Sequence, residues 1–391
     1  MSEGAAAIVW DPRFLFYDFG PGHPFSERSR GLAVDLLRLQ LARERTPVEW
    51  IRTVAPDARS SLERFHDPAY LDLVDRASAQ EAPILLDAGD TPSFAGCFEE
   101  AARIVAGTER ALAWTLEHRR PAFQPAGGLH HAHADRASGF CIFNDVALAV
   151  RSAIDRGHRV AYIDIDAHHG DGVMYGFYDS GKVLAIDFHQ DGRTLFPGTG
   201  FPGEVGRGDG AGLKVNLPLP PTAGDEALRP LFRRVVPPLL RSFRPDVIVL
   251  QHGVDGHLGD RLAQLQYSSA AYDEIDVTVL ALAREIAGAR LVVTGGGGYR
   301  PDAVARVLAR TGLALAGAPL PGFASTVPED WREQYRHELG EPAPIAWAEA
   351  DPPEPSRWRP ELEEKLIGAL ESGLGRRLPA PGAPVERDRS A

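Results

Sequence analysis

The stretch YIDIDAHHGDG, residues 162–172, sets Asp164, Asp166, His168 and Asp171 into a run that begins as an apolar strand. Burying unpaired charges of that kind is costly, so the run calls for a partner, and a metal cation is the obvious one. Alternate side chains of an extended backbone share a face, so Asp166 and His168 can chelate one ion, while His169 points away and is assigned no chemistry. A catalytic zinc takes three protein ligands and keeps a position open for water. Asp255, in LQHGVDGHLGD, is the best candidate for the third ligand.

Two further stretches complete a reaction centre. GGLHHA, residues 127–132, carries His130 and His131, and a histidine pair suits general acid–base work because imidazole titrates near neutral pH. Asp164 and Asp171 are available to orient the two rings. In GGGGYR, residues 295–300, the glycines permit backbone angles that bring Tyr299 over a bound group, where its hydroxyl can donate to a developing oxyanion. Glycine runs also cradle phosphates, but no GK[ST] follows this one and no GxGxxG lies near the first strand, so a nucleotide fold is poorly supported.

These loops need a scaffold, and from about residue 100 helical and strand patterns alternate, as in a parallel sheet with crossover helices. A helix over 99–118 precedes the short strand PAFQP. Then follow a helix near 144–156, the strand VAYIDID, a helix near 171–179, the strand KVLAIDF, a helix within 225–242, the strand DVIVLQ, a helix near 269–287 and the strand LVVTGGGG. Ligands bind at the carboxyl ends of such strands, which is where every motif above falls. The first hundred residues read as loops and helices on the same core. Beyond residue 320 the chain is rich in Pro, Glu and Arg, with one helix at 360–372 and a frayed end, APGAPVERDRSA. The expected division is a catalytic domain over 1–320 and an extension over 321–391, packed on it or trailing from it.

Composition narrows the partners. Of 391 residues, 44% are hydrophobic and 25% charged, enough apolar material for a large core. A formal net charge of −12 argues against phosphate backbones and anionic lipid surfaces. Cys97 and Cys141 are the two cysteines, too few to staple so long a chain, and a reduced cytoplasmic protein without a disulfide is expected. The N-terminus has neither a basic segment nor a long apolar one, and no apolar run is long enough to span a membrane.

Taken in order, GGLHHA, SGFCIFND, YIDIDAHHGDG, FPGTG, HGVDGHLGDRL and GGGGY resemble the motifs of the histone-deacetylase superfamily over roughly residues 15–320. GPGHPFSERSRG resembles its N-terminal motif, and GDTPSFAGCFEEA and VPEDWREQYR resemble its bacterial acetoin-utilisation branch. The resemblance implies an arginase-like three-layer α/β fold around a mainly parallel sheet of about eight strands. It implies hydrolysis of N-acetyl-lysine at a zinc ion, or at iron(II), held by Asp166, His168 and Asp255. His130 and His131 would be the acid–base pair, backed by Asp164 and Asp171 respectively, and Tyr299 would polarise the acetyl carbonyl. Gly139, Phe140 and Phe196 would line a narrow tunnel for the lysine stem, with Leu262 near its mouth, and Cys141 would be packing and not a nucleophile. Relatives also bind potassium behind the zinc strand through Asp164, nearby carbonyls and a serine of the next strand. Here Asp187 stands at the serine position, followed by Phe188, which adds a negative charge: either the monovalent site is stronger or the local arrangement differs.

Two other readings compete with a deacetylase. A two-metal ureohydrolase of arginase type needs further bridging aspartates to hold a second ion about 3.5–4 Å away, and the later loop supplies His257 after Asp255 instead. A silent protein that merely holds a metal and an acylated ligand has no need of Tyr299 and the histidine pair. Among deacetylase substrates, protein acetyl-lysine stands beside acetylated polyamines and other small acyl amides, and an acidic tunnel rim would favour the polyamines.

Overall fold

The strand segments VAYID, VLAIDFHQ and VIVLQ are buried along their whole length, as strands must be when helices cover both faces of a sheet. The computed structural model describes residues 6–53, 58–80, 82–87, 89–349, 358–375 and 377–378. Within them lie the strands β1 (Ala7–Val9), β2 (Glu49–Ile51), β3 (Ala122–Gln124), β4 (Val160–Asp164), β5 (Val183–Gln190), β6 (Lys214–Leu219), β7 (Val247–Gln251) and β8 (Leu291–Thr294). They form one sheet in the order β2-β1-β3-β8-β7-β4-β5-β6, and each neighbouring pair is parallel.

The helices are α1 (Arg28–Glu44), α2 (Ala58–Leu62), α3 (Pro68–Ser78), α4 (Cys97–His118), α5 (Asp145–Asp155), α6 (Asp171–Gly176), α7 (Asp225–Phe243), α8 (Ser269–Ile286), α9 (Pro301–Ala316), α10 (Glu329–Leu339) and α11 (Pro360–Leu374). Side chains alternate across the sheet. Ala161 and Ile163 of β4 share a core with α1, α7, α8 and α9, whereas Val160 and Tyr162 join α4 and α5 on the opposite face. The parallel sheet with crossover helices expected from the alternating pattern is the one found, in the three-layer α/β form that the resemblance implies.

Three strands lie where the sequence reading has none. β1 and β2, within the first hundred residues, are three residues each, too short to show an alternation. β6, KVNLPL, contains Pro218, and a proline is tolerated because β6 is the edge strand. The region beyond 320 carries two helices among the described residues instead of one. The additional one, α10 (EDWREQYRHEL), is polar almost all round, with Trp331 and Tyr335 its buried residues, so no apolar stripe announces it. Trp331 Nε1 donates to the carbonyl of Leu32, 2.8 Å, and Ser269 N donates to Glu349, 2.7 Å, so the extension touches both α1 and the start of α8. The end expected to fray, 380–391, lies outside the described residues.

Candidate active site

The four central strands, β3, β8, β7 and β4, stand side by side, and the loops that leave their carboxyl ends carry the candidate residues. His130 and His131 follow β3, Tyr299 follows β8, Asp255 follows β7, and Asp166, His168 and Asp171 follow β4. Strand β4 ends at Asp164, so Asp166 and His168 belong to the turn beyond it; the extended run expected through His168 does not persist. They converge nonetheless, because Asp166 Oδ1 accepts the backbone N–H of His168 at 2.9 Å.

Asp166, His168 and Asp255 bring their ligand atoms within 4.8 Å of one another, and all three are buried. His168 Nδ1 lies 2.8 Å from Asp255 Oδ2 and 3.2 Å from Asp166 Oδ1. Burial and then Asp166 push the Asp255 carboxyl up to about 7. Burial alone would lower His168, but Asp255 and Asp166 push it up to about 10. Two buried carboxylates facing one imidazole thus crowd negative charge into a small space, and a divalent cation with nitrogen and oxygen ligands suits that donor set. Backbone fits closely around it. A Cβ on Gly297 would stand 2.0 Å from Asp255 Oδ2, and one on Gly253 2.0 Å from Asp166 Oδ2, so glycine is required at both positions.

The histidine pair lies beside this group. His130 Nδ1 is 2.8 Å from Asp164 Oδ2, His131 Nδ1 is 2.7 Å from Asp171 Oδ1, and the two Nε2 atoms face each other at 3.0 Å. The dyads differ electrostatically. Burial and then Asp187 and Asp166 raise Asp164 well above the usual carboxylate range. Burial also opposes the charge of Asp171, yet hydrogen bonds from His131 and His133 hold it far below that range. Burial, then His130, push His131 down to about 4, so its ring is neutral near pH 7. With Asp171 ionised and able only to accept, Nδ1 of His131 carries the proton and Nε2 keeps its lone pair.

Tyr299 is 8% exposed, and burial followed by Asp255 and Asp166 keeps its phenol protonated far above neutral pH. Its ring meets His168 at 6.3 Å and Phe140 at 6.0 Å between centroids. Phe196 lies 5.1 Å from the His131 ring and, 43% exposed, stands at the opening, close over Gly139. Leu262 and Phe140, both half-buried, pack against the apolar cluster that contains Tyr299. Cys141 is buried, and burial lifts its thiol well above the ordinary range, which makes it inert.

Where the resemblance implies a potassium site, Asp187 does not stand as a free charge. Asp187 pairs with Asp164 across β4 and β5, but its Oδ1 lies 2.6 Å from His189 Nδ1 and its Oδ2 accepts Gly170 N at 2.8 Å. Burial opposes the charge on Asp187, and His189 restores it, so the additional carboxylate is matched from within the chain. Phe188 turns its ring into the core against Phe232, centroids 5.5 Å apart.

The sequence reading does not single out several residues that position these groups. Asp260 accepts Tyr299 N at 2.8 Å and Leu262 N at 2.9 Å. Gln251 Nε2 donates to Asp166 Oδ2 at 3.0 Å, and Asn144 Nδ2 donates to the carbonyls of His130 and Ala132, each at 2.9 Å. His133 Nε2 lies 3.1 Å from Asp171 Oδ2; the alternation HHAH is the signal that points to it. Asp260 and Gln251 carry no such signal for their contacts with Tyr299 and Asp166, which lie more than thirty residues away.

Residues 23–315 match the family model described as the histone deacetylase domain. The chain is 35% identical over 379 residues to the acetoin utilization protein AcuC of Bacillus subtilis, covering 94% of this chain and 96% of that protein. It is 33% identical to AcuC of Staphylococcus xylosus, over 89% and 91% of the two chains, and 31% identical to AcuC of Staphylococcus aureus strain MRSA252, over 87% and 89%. No helix among the described residues is long and apolar enough to cross a membrane.

Proposed function

Since the chain belongs to the histone deacetylase family and is a deacetylase hydrolase, we propose that it hydrolyses N-acetyl-lysine in proteins or peptides to lysine and acetate in the cytoplasm, using zinc held by Asp166, His168 and Asp255. One observation supports this above others. Asp166, His168, both histidines of the pair, Gly139 and Tyr299 line a single pocket, so ligand, base and phenol donors all face one reacting centre.

A divalent ion, when bound, supplies Lewis acidity that lowers the proton affinity of water and polarises an amide oxygen. His131, neutral and with Nε2 unprotonated, accepts the proton of the attacking water, and Asp171 stabilises the imidazolium that results. Tyr299 donates its phenol proton as a hydrogen bond to the carbonyl oxygen as charge grows there. The imidazole pair then returns a proton to the leaving amine. Phe140 and Phe196 hold the apolar lysine stem and keep water from the reacting bond.

The charge at the mouth favours peptide substrates over polyamines. A cavity of about 460 Å³ beside Tyr299 carries Asp18, Glu338 and Glu341; Arg28 lies 3.9 Å from Asp18 and Arg261 bonds Glu341 at 2.8 Å, so two of the three carboxylates are paired. Paired charges make a weaker trap for a polycation than an unpaired acidic ring would. Acetate release should be measured from an acetyl-lysine peptide and from acetylputrescine, with the zinc-loaded protein and its Tyr299→Phe variant. The expected result is peptide turnover that falls roughly 10²–10³-fold in the variant. Preference for acetylputrescine would move the function to small amines, and no turnover of either would refute the proposal.

A further inference from the structure

Asp171 touches two histidines, and the reaction above uses one of them. Its Oδ1 serves His131 and its Oδ2 lies 3.1 Å from His133 Nε2, in a position only 5% exposed. An ionised carboxylate offers acceptors alone, so both ring nitrogens donate to it. The terminal torsion of an aspartate is broad and roughly two-fold, and a carboxylate held by one donor can swing about it.

His133 itself is held firmly. Its carbonyl lies 3.0 Å from His66 Nδ1, its N–H donates to Arg136 O at 3.0 Å, and Asn144 ties down the carbonyl of Ala132 immediately before it. Its ring lies within 18° of parallel to that of Tyr175, centroids 6.4 Å apart. Such fixation is more than a casual surface contact with an acid would need.

We propose that His133 is a positioning residue: by bonding Oδ2 it fixes the plane of the Asp171 carboxylate, so that Oδ1 presents the right tautomer and orientation of His131 to the reacting water. This rests on the deacetylase reading, in which His131 is the base. The orientation of that base governs how much of the roughly 10²–10⁴-fold worth of acid–base catalysis is realised.

The test compares His133→Phe, which keeps an aromatic ring against Tyr175 but has no donor, with His133→Gln, whose amide can reach Oδ2. Peptide deacetylation by the zinc-loaded full chain is expected to lose about tenfold in kcat with KM unchanged for the Phe variant, and to stay within about twofold of wild type for Gln. Adding His133→Phe to Asp171→Asn should cost nothing further. In parallel, nitrogen-15 spectra of the histidine rings in the resting protein should show the His131 Nδ1–H signal displaced by Phe and preserved by Gln. An unchanged kcat, a loss confined to KM, equal losses in the two variants, or an undisturbed His131 signal would each overturn the inference. Absence of turnover by the wild type would defeat the deacetylase reading alone, because the ring spectra report the linkage without turnover.

Discussion

His66 gives the sharpest pH prediction. It sits behind the loop that carries His130 and His131, its Nδ1 3.0 Å from the carbonyl of His133 and its Nε2 accepting the N–H of Asn144 at 3.0 Å. That arrangement specifies the neutral ring, since a second ring proton would point at the Asn144 N–H. Burial accordingly pushes His66 down to about 4 from an ordinary 6.5. As the pH falls below 6.5 the unfolded chain takes up this proton before the folded one, so stability is full above about 6.5 and erodes down to about 4. Those two values put the loss between pH 7 and pH 5 at about 2 kcal/mol from this one residue. Urea unfolding of wild type and His66→Gln at pH 7, 6 and 5 isolates it, because His131 and His169, also pushed down to about 4, contribute equally to both proteins. Wild type should lose about 2 kcal/mol more than the variant over that interval. Parallel stability profiles would refute the assigned tautomer and its burial cost.

Gly297→Ala, whose Cβ would strike Asp255 Oδ2, should weaken zinc retention at least about tenfold while leaving the circular dichroism unchanged, as metal analysis after dialysis would report. Asp260→Asn turns an amide towards the N–H of Tyr299; kcat is expected to fall about tenfold with little change in melting temperature, which steady-state kinetics and calorimetry together would check. Trp331→Ala removes a buried indole and its bond to Leu32, and should destabilise the whole chain by about 3–5 kcal/mol in urea titration if residues beyond 320 unfold with the rest.

How far the sequence could be read depended on the reach of each signal. Strands β4, β5, β7 and β8 announce themselves by buried apolar runs, and the residues at their ends by chemistry that no apolar core would tolerate. Short strands such as AIV and EWI carry too few residues for a pattern, and α10 is anchored by Trp331 and Tyr335 alone. At the site, Asp166, His168 and Asp255 are conspicuous by type. Asp260, Gln251 and Asn144 act by hydrogen bonds to distant backbone, and the fold alone brings those partners together. Asp187 marks the opposite limit: its charge was visible, but its neutralisation by His189 required the geometry of β5.

The place of β8 between β3 and β7 has a consequence for how the chain is made. Strands β1, β2 and β3 are complete by residue 124, and β4 to β7 by residue 251, yet no strand pairing joins the two groups until Leu291–Thr294 is available to pair with both. During synthesis the two blocks wait as separate half-sheets with open edges, exposed to mispairing for as long as the intervening chain takes to emerge. Insertion of β8 closes the sheet by contacts distant in sequence, a slow step by its nature. The same insertion delivers Tyr299 and Gly297 to the loops that carry Asp166, His168 and Asp255, so closure of the sheet and completion of the candidate site arrive in one event.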